Sequence, residues 1–422
     1  MRVTRLLALL TVVLALCGAS AIADPFALHS GDRVVTYGDS ITAQQLYSNY
    51  AEAFVLTRFP KLTIDWWTAG WGGDRVTGGG GGNIDTRLSR DVLAFKPTRV
   101  TIMLGMNDGG YRPLDEALFN TYQKGYQHIL DSIKKADPST KVTLILPSPY
   151  DDVTQTPKFD GGYNAVLVKY GEYVNGLAQS QGLDTADFNS AVVAMLQKAK
   201  ATDPELAKKI IPDRVHPSPA GHLVMAETLV RSWNFPSLVS AVSIDASAAT
   251  AVRADGATVS KLKGGESVSW DELEAALPLP INFDDPLTAL VLNSSDVVDA
   301  IDQETLQVTG LTAAKYELRI DDKAVGTFAK EDLAAGVNLA TYATPMLAQA
   351  LTVRDLTASH VGVHATRFRS ILAPYQGDTD PNVKKALGDV VSALDKLDEA
   401  FVAKQRAAAQ PVLHHFALAA AQ

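Results

Sequence analysis

Residues 33–43 read Arg-Val-Val-Thr-Tyr-Gly-Asp-Ser-Ile-Thr-Ala. Arg33 to Tyr37 is β-prone and stops at Gly38, and a helical pattern follows from Gln44 to Arg58. A strand that ends in a tight turn and passes directly into a helix opens a βα unit. The same alternation continues outward. Leu62–Trp67, Arg99–Leu104, Lys141–Leu146 and the weaker Leu183–Phe188 read as further strands. Asp85–Phe95, Leu114–Ala136, Gly162–Gln181 and Ala191–Ala199 read as the helices between them. The strands are almost continuously apolar, as in a parallel sheet covered on both faces. Ligands of such sheets sit beyond the carboxyl ends of the strands.

Composition changes near Ser237. Beyond it come short alternating runs such as Ala241–Ile244 and Tyr316–Ile320, then a helical stretch from Val353 to Phe401 broken at Pro374–Pro381. Pro411–Leu418 reads as a returning strand. The expected organisation is an α/β catalytic domain over residues 24–237 and a smaller β-rich domain with a helical segment over residues 238–422. No Pro-rich or Gly/Ser-rich linker separates the two, so close packing is expected.

The 422 residues are 46% hydrophobic and 20% charged, which is ordinary globular composition. The net charge is −9, and loss of Arg2 and Arg5 with a leader makes it more negative. An acidic surface does not neutralise phosphate, which excludes nucleic acid and anionic membranes as expected partners. Residues 1–23 read as a signal peptide: a basic start, an apolar run from Leu6 to Leu16, and Ala21-Ile22-Ala23 before a mature start near Asp24. That implies a secreted or periplasmic protein. Cys17 is the single cysteine, and a lipid anchor there is a minor alternative because Leu16 is bulky where a small residue is wanted. No later segment reads as transmembrane.

Four short segments carry candidate chemistry. Gly38-Asp39-Ser40-Ile41 places a serine where a strand opens into a helix, a position equally suited to a nucleophile and to a helix N-cap. Gly70-Trp71-Gly72-Gly73-Asp74 allows the backbone to approach a ligand. Gly105-Met106-Asn107-Asp108 offers a side-chain amide at a strand end. Asp213-Arg214-Val215-His216-Pro217 lets a carboxylate orient an imidazole from within one segment. Each alone has a bland reading as a turn, a cap or a surface pair. Together, in this order, with the first three each after an expected strand, they form one constellation.

That constellation resembles the SGNH hydrolase superfamily, the GDSL-type esterases and lipases, over about residues 32–234. Ile41 replaces the commoner leucine of the first block, and Thr68-Ala69-Gly70 stands where an asparagine often precedes the glycines. The resemblance implies a three-layer, flavodoxin-like fold with a parallel sheet. It implies Ser40 as nucleophile, His216 as base and then acid, and Asp213 as its orienting carboxylate. Ser40 and Gly73 N–H groups with the Asn107 amide would form an oxyanion hole. No cofactor and no metal are implied.

Trp71, Tyr111, Arg112 and Tyr150 are candidate substrate contacts. Asp151-Asp152 reads as a solvated loop, Gly78–Gly82 as a flexible one, and His222 as helix packing. Trp66 and Trp67 are expected to split between the two faces of their strand. The expected activity is hydrolysis of a small-molecule or carbohydrate ester, with removal of acetyl groups from carbohydrate favoured. A lipid esterase or lysophospholipase, an O-acyltransferase, and a carbohydrate-binding protein with an inactive hydrolase fold are the alternatives. The oligomeric state is not readable from the sequence.

Overall fold

The computed structural model describes residues 25–265 and 267–421. The expected leader, its cleavage site and Cys17 lie outside the described residues. The first sheet is wholly parallel. Its strands are β1 (Arg33–Gly38), β2 (Asp65–Gly70), β3 (Arg99–Met103), β4 (Lys141–Ile145) and β5 (Asp184–Ala186), in the order β2-β1-β3-β4-β5. This is the flavodoxin-like order, in which the chain reverses direction beside β1 and leaves a crevice at the strand ends. β1 and β3 are buried almost throughout, as strands covered on both faces must be.

Helices cover the sheet: α1 (Ser40–Ala43), α2 (Leu46–Arg58), α3 (Glu116–Ala136), α4 (Gly162–Gln181), α5 (Phe188–Thr202) and α6 (Pro219–Arg231). The helix expected from Gln44 begins two residues later, because Gln45 adopts a left-handed conformation (φ 65°) that separates α1 from α2. β2 lies three residues later than the apolar run suggested, in register with β1 from Arg33↔Asp65 to Gly38↔Gly70. Trp66 packs against Trp233 and Trp67 stacks on Phe95, so the two indoles do divide between faces. Residues 84–95 form a short helix followed by a π turn and a 3-10 turn instead of one regular helix. Gly78–Gly79 and Gly82–Asn83 pair as a small ribbon, so the glycine run is structured.

Beyond residue 237 the chain forms two sheets. One joins β6 (Leu238–Asp245), β7 (Thr250–Asp255), β10 (Gln303–Thr309) and β13 (Val337–Asn338) in the order β13-β10-β6-β7. The other is antiparallel and joins β8 (Ala257–Lys263), β9 (Val268–Glu274), β11 (Lys315–Ile320), β12 (Lys323–Ala329) and β14 (His414–Ala420) in the order β8-β9-β14-β11-β12. The helical excursion is a hairpin of α7 (Pro345–Ala365), extended to Tyr375 by a π-helical turn, and α8 (Pro381–Ala408). It lies against α2 and β2. Among the described residues no helix is long and apolar enough to cross a membrane.

The junction between the parallel sheet's layer and the β-rich region is polar at its centre. Arg58 donates to the carbonyls of Pro236 (2.5 Å) and Ile301 (2.8 Å), and Leu277 N–H bonds Thr57 O at 2.9 Å. Around Arg58 four acids are buried: Glu272, Glu274, Asp302 and Glu304. Burial pushes the Glu274 carboxyl up to about 8, with Glu272 and Asp302 adding repulsion. Burial, reinforced by Glu274, Asp302 and Glu272, holds Glu304 well above the usual range, and neither of its oxygens has a partner among the described residues. Burial likewise raises Asp302 and Glu272 to about 7.

These groups favour their protonated forms in the fold. Their contribution to stability is fully present below the unfolded carboxyl pKa of roughly 4 and is lost as pH rises through about 7 to 8. This contribution should therefore lower the melting temperature progressively as pH rises from about 4 through about 8. Glu304→Gln should flatten that fall and raise the pH 9 value by roughly 2–4 °C per kcal/mol recovered. Thermal melts by circular dichroism across the pH series test this, and an unchanged slope in the variant would contradict it.

Candidate active site

The four segments singled out in the sequence meet at the carboxyl ends of β1, β2 and β3. Ser40 is the first residue of α1, and Asp39 caps it by accepting from Ile41 N–H at 3.0 Å. Ser40 Oγ lies 2.8 Å from His216 Nε2. On the opposite side of the ring, Nδ1 lies 2.6 Å from Asp213 Oδ2. The other Asp213 oxygen accepts from the main-chain N–H groups of Val215 (3.0 Å) and His216 (2.8 Å). Burial pushes the Asp213 carboxyl up, but the hydrogen bonds from His216 and Val215 outweigh it and the net shift is downward. Asp213 therefore stays ionised, and its bond to Nδ1 leaves the Nε2 lone pair facing the Ser40 hydroxyl. The relay is shallow: the side chains of His216 and Asp213 are 35% and 55% exposed.

The loop after β2 supplies the second wall. Gly73 has φ 75°, a left-handed value that disfavours any residue with a β-carbon. Its N–H and that of Ser40 have no protein acceptor among the described residues. Asn107 Nδ2 donates to Asp74 O at 2.9 Å, which uses one of its two amide hydrogens. Tyr111 Oη donates to Asn107 Oδ1 at 2.9 Å and so fixes which end of the amide presents N–H. Asp108 Oδ1 accepts from Val76 N–H at 2.9 Å. Burial raises both Asp39 and Asp108 to about 7, against hydrogen bonds that lower them, which shifts both toward their uncharged forms.

The remaining candidates divide. Tyr111 is 43% exposed on the rim and its phenol is pushed up to about 12, chiefly by burial of its oxygen. Arg112 is exposed beside it. Tyr150 is 2% exposed and packs under Tyr111 and Tyr163, so it supports the rim and has no free face for a ligand. Trp71 is half-buried, edge-on to Phe368 at 5.4 Å, with Arg87 and Arg90 over its ring. Asp151 corrects the solvated-loop expectation. It is buried, accepts from Val153 and Thr154 N–H (3.0 and 2.8 Å) and donates its own N–H to Arg214 O at 2.9 Å. Asp152 pairs with Arg214 at 3.5 Å. Together they hold the segment that carries Asp213 and His216. His222 is buried, bonds Gln44 Oε1 at 3.1 Å and is lowered to about 3 by burial and by His216.

Two supports had no signal in the sequence. Arg87, buried in the short helix after the ribbon, pairs with Asp74 at 2.6 Å and with Asp91, and donates to Ala69 O at 2.7 Å. Arg369, in the hairpin, uses one nitrogen for two carbonyls: Ala43 O at 3.0 Å and Gly70 O at 2.9 Å. Ala43 ends the turn that carries Ser40, and Gly70 begins the loop that carries Gly73.

Residues 36–224 match the model of the GDSL-like lipase/acylhydrolase family. An acetylxylan esterase from Geobacillus stearothermophilus is 27% identical over 230 residues, covering 49% of this chain and 95% of that protein. A solved structure of a gut microbial diltiazem-metabolizing enzyme has a TM-score of 0.80 and 27% identity, covering 93% of this chain and 98% of its own.

If Arg369 ties the two loops, Arg369→Ala should slow phosphonate labelling of Ser40 by roughly 10–100-fold, as small misplacements of reacting groups do. The circular dichroism spectrum should be unchanged, and Arg369→Lys should restore part of the rate. A wild-type labelling rate in Arg369→Ala would remove Arg369 from the site.

Proposed function

We propose that this chain, a carboxylic ester hydrolase with a GDSL-like acylhydrolase domain over residues 36–224, removes acetyl groups from carbohydrate through an acyl-enzyme on Ser40. The observation that carries the mechanism is the Ser40–His216–Asp213 relay, with contacts of 2.8 and 2.6 Å. Ser40 Oγ attacks the ester carbonyl while His216 Nε2 takes its proton. The tetrahedral oxyanion forms where the Ser40 and Gly73 N–H groups and the second Asn107 amide hydrogen are available. Collapse expels the alcohol, which receives the proton from His216. Water then attacks the acyl carbon while giving a proton to His216, and collapse of the second tetrahedral intermediate releases the acid as His216 returns that proton to Ser40 Oγ. Asp213 holds the imidazolium formed in each step without taking its proton.

The shallowness of the relay supports a small acyl group on a large alcohol. Half-exposed Asp213 and His216 leave a bulky leaving group in solvent, and the exposed Tyr111 ring offers a sugar a stacking face. The likeness to an acetylxylan esterase supports the same substrate class. In this reading the catalytic unit is residues 24–237 and residues 238–422 brace it. Arg2, Arg5, Leu6–Leu16 and Ala21-Ile22-Ala23 support export with cleavage before Asp24.

Hydrolysis of nitrophenyl acetate should exceed that of nitrophenyl decanoate, and acetylated xylan should release acetate. A preference for the long chain would replace this reading with a lipid esterase, and acetyl transfer to an added alcohol in excess of hydrolysis would replace it with an acyltransferase. Ser40→Ala should abolish turnover, and Asn107→Ala should lower kcat by roughly 10²–10³. Full phosphonate labelling of Ser40→Ala would reject the nucleophile, and no labelling of the wild type would leave a binding protein with an inactive hydrolase fold.

A further inference from the structure

Two histidines of the hairpin meet an aspartate 38 and 34 positions further along the chain. His360 and His364 lie four residues apart on α7 and so share one face of the helix. Asp398 reaches them from α8, and Glu52 reaches His360 from α2. Both histidines and Glu52 are buried. His360 Nε2 lies 2.8 Å from Glu52 Oε1, and its Nδ1 lies 3.2 Å from Asp398 Oδ1. His364 Nε2 lies 3.0 Å from Asp398 Oδ2.

A neutral imidazole carries one N–H. If His360 gives it to Glu52, its Nδ1 lone pair faces a carboxylate oxygen, a contact that either a second ring proton or a metal ion must fill. Among the described residues no lysine or arginine pairs with Glu52 or Asp398. Glu52 Oε2 and His364 Nδ1 are buried without a partner, so the network is not closed by its own hydrogen bonds.

We propose that His360 Nδ1, His364 Nε2 and an Asp398 oxygen form a zinc site. One donor atom from each of His360, His364 and Asp398 lies within 4.8 Å of the others. Ligands about 2.0–2.1 Å from a tetrahedral zinc stand roughly 3.3 Å apart, close to the 3.2 Å between His360 Nδ1 and Asp398 Oδ1; His364 Nε2, 3.0 Å from the other Asp398 oxygen, would turn toward the same ion. Two nitrogens and a carboxylate oxygen are a zinc donor set, and one divalent ion balances the buried Glu52 and part-buried Asp398 carboxylates. Glu52 stands behind His360 as the outer carboxylate that fixes the ring's tautomer, and Gln405 Nε2 holds Glu52 in turn at 3.0 Å. Asp398 is only part-buried and marks the side from which the ion and a completing water enter. The ion would join both helices of the hairpin, and through Glu52 would fix them to α2, on the element that carries Arg369.

The test is calorimetric titration of the chelator-treated full chain with zinc sulfate. One equivalent should bind, and the ion should raise the melting temperature by roughly 5 °C or more at a hundredfold excess over Kd. Glu52→Gln should weaken binding by roughly 10–100-fold. His364→Ala and the near-isosteric Asp398→Asn should abolish it, while His216→Ala, which removes the exposed catalytic pair as a competing chelate, should leave it intact. No stoichiometric binding by the wild type would overturn the proposal and leave protons alone holding the network. Binding that survives in folded Asp398→Asn, or that disappears in His216→Ala, would equally overturn it.

Discussion

The site depends on how closely two loops touch. A β-carbon added to Gly70 would lie 2.2 Å from Ala43 N, and one added to Gly38 would lie 2.7 Å from Met103 O. The ends of β1, β2 and β3 are therefore in backbone contact, with no side-chain layer between them. That contact sets the distance between Ser40 and the loop of Gly73, because neither loop has slack to take up. Arg369 works on the same contact from outside, by satisfying the outward carbonyls of both partners with one nitrogen. An active site assembled from the ends of strands inherits its precision from the sheet, and here the register of β1 with β2 delivers Gly38 and Gly70 side by side.

The parallel-sheet domain and the side chains of the candidate site were legible because their signals are local. Each strand is a short apolar run closed by glycine or a polar turn, and each chemical group follows within a few residues. Asp213 and His216 interact across three positions, a spacing that sequence displays directly. The order of the four segments did the rest, since the topology of a doubly wound sheet places those strand ends together. The two loop misreadings have a physical source. Asp151-Asp152 looks polar, but its polarity is spent inward on Val153, Thr154 and Arg214, whose φ of 72° has no signature in residue type.

What the sequence hid is whatever depends on distant contacts. β7 is exposed along its whole length, so it has no alternating face to betray it as a strand. Arg369 meets Ala43 across 326 positions, and Glu52 meets His360 across 308. Nothing in the neighbourhood of either residue differs from an ordinary helix. The buried acids around Arg58 belong to the same class: each sits in a plausible strand or turn, and only the packing of the two halves makes them neighbours. Such groups cost stability at high pH, so packing in the β-rich half must offset more than its own conformational entropy.

The strand order of the second sheet carries a consequence for the chain's history. β14, drawn from residues 414–420, is its central strand, inserted between β9 and β11. β9 pairs with it across 146 positions (Trp270↔Phe416) and β11 across 96 (Ile320↔Phe416), so both must wait for it before that sheet can close. The hairpin immediately precedes β14, so the brace on the Ser40 turn is also among the later parts to dock. Contacts so remote in sequence make folding slow. For a chain built this way, an emerging polypeptide holds Ser40, Asn107, Asp213 and His216 long before it holds the contacts that brace them.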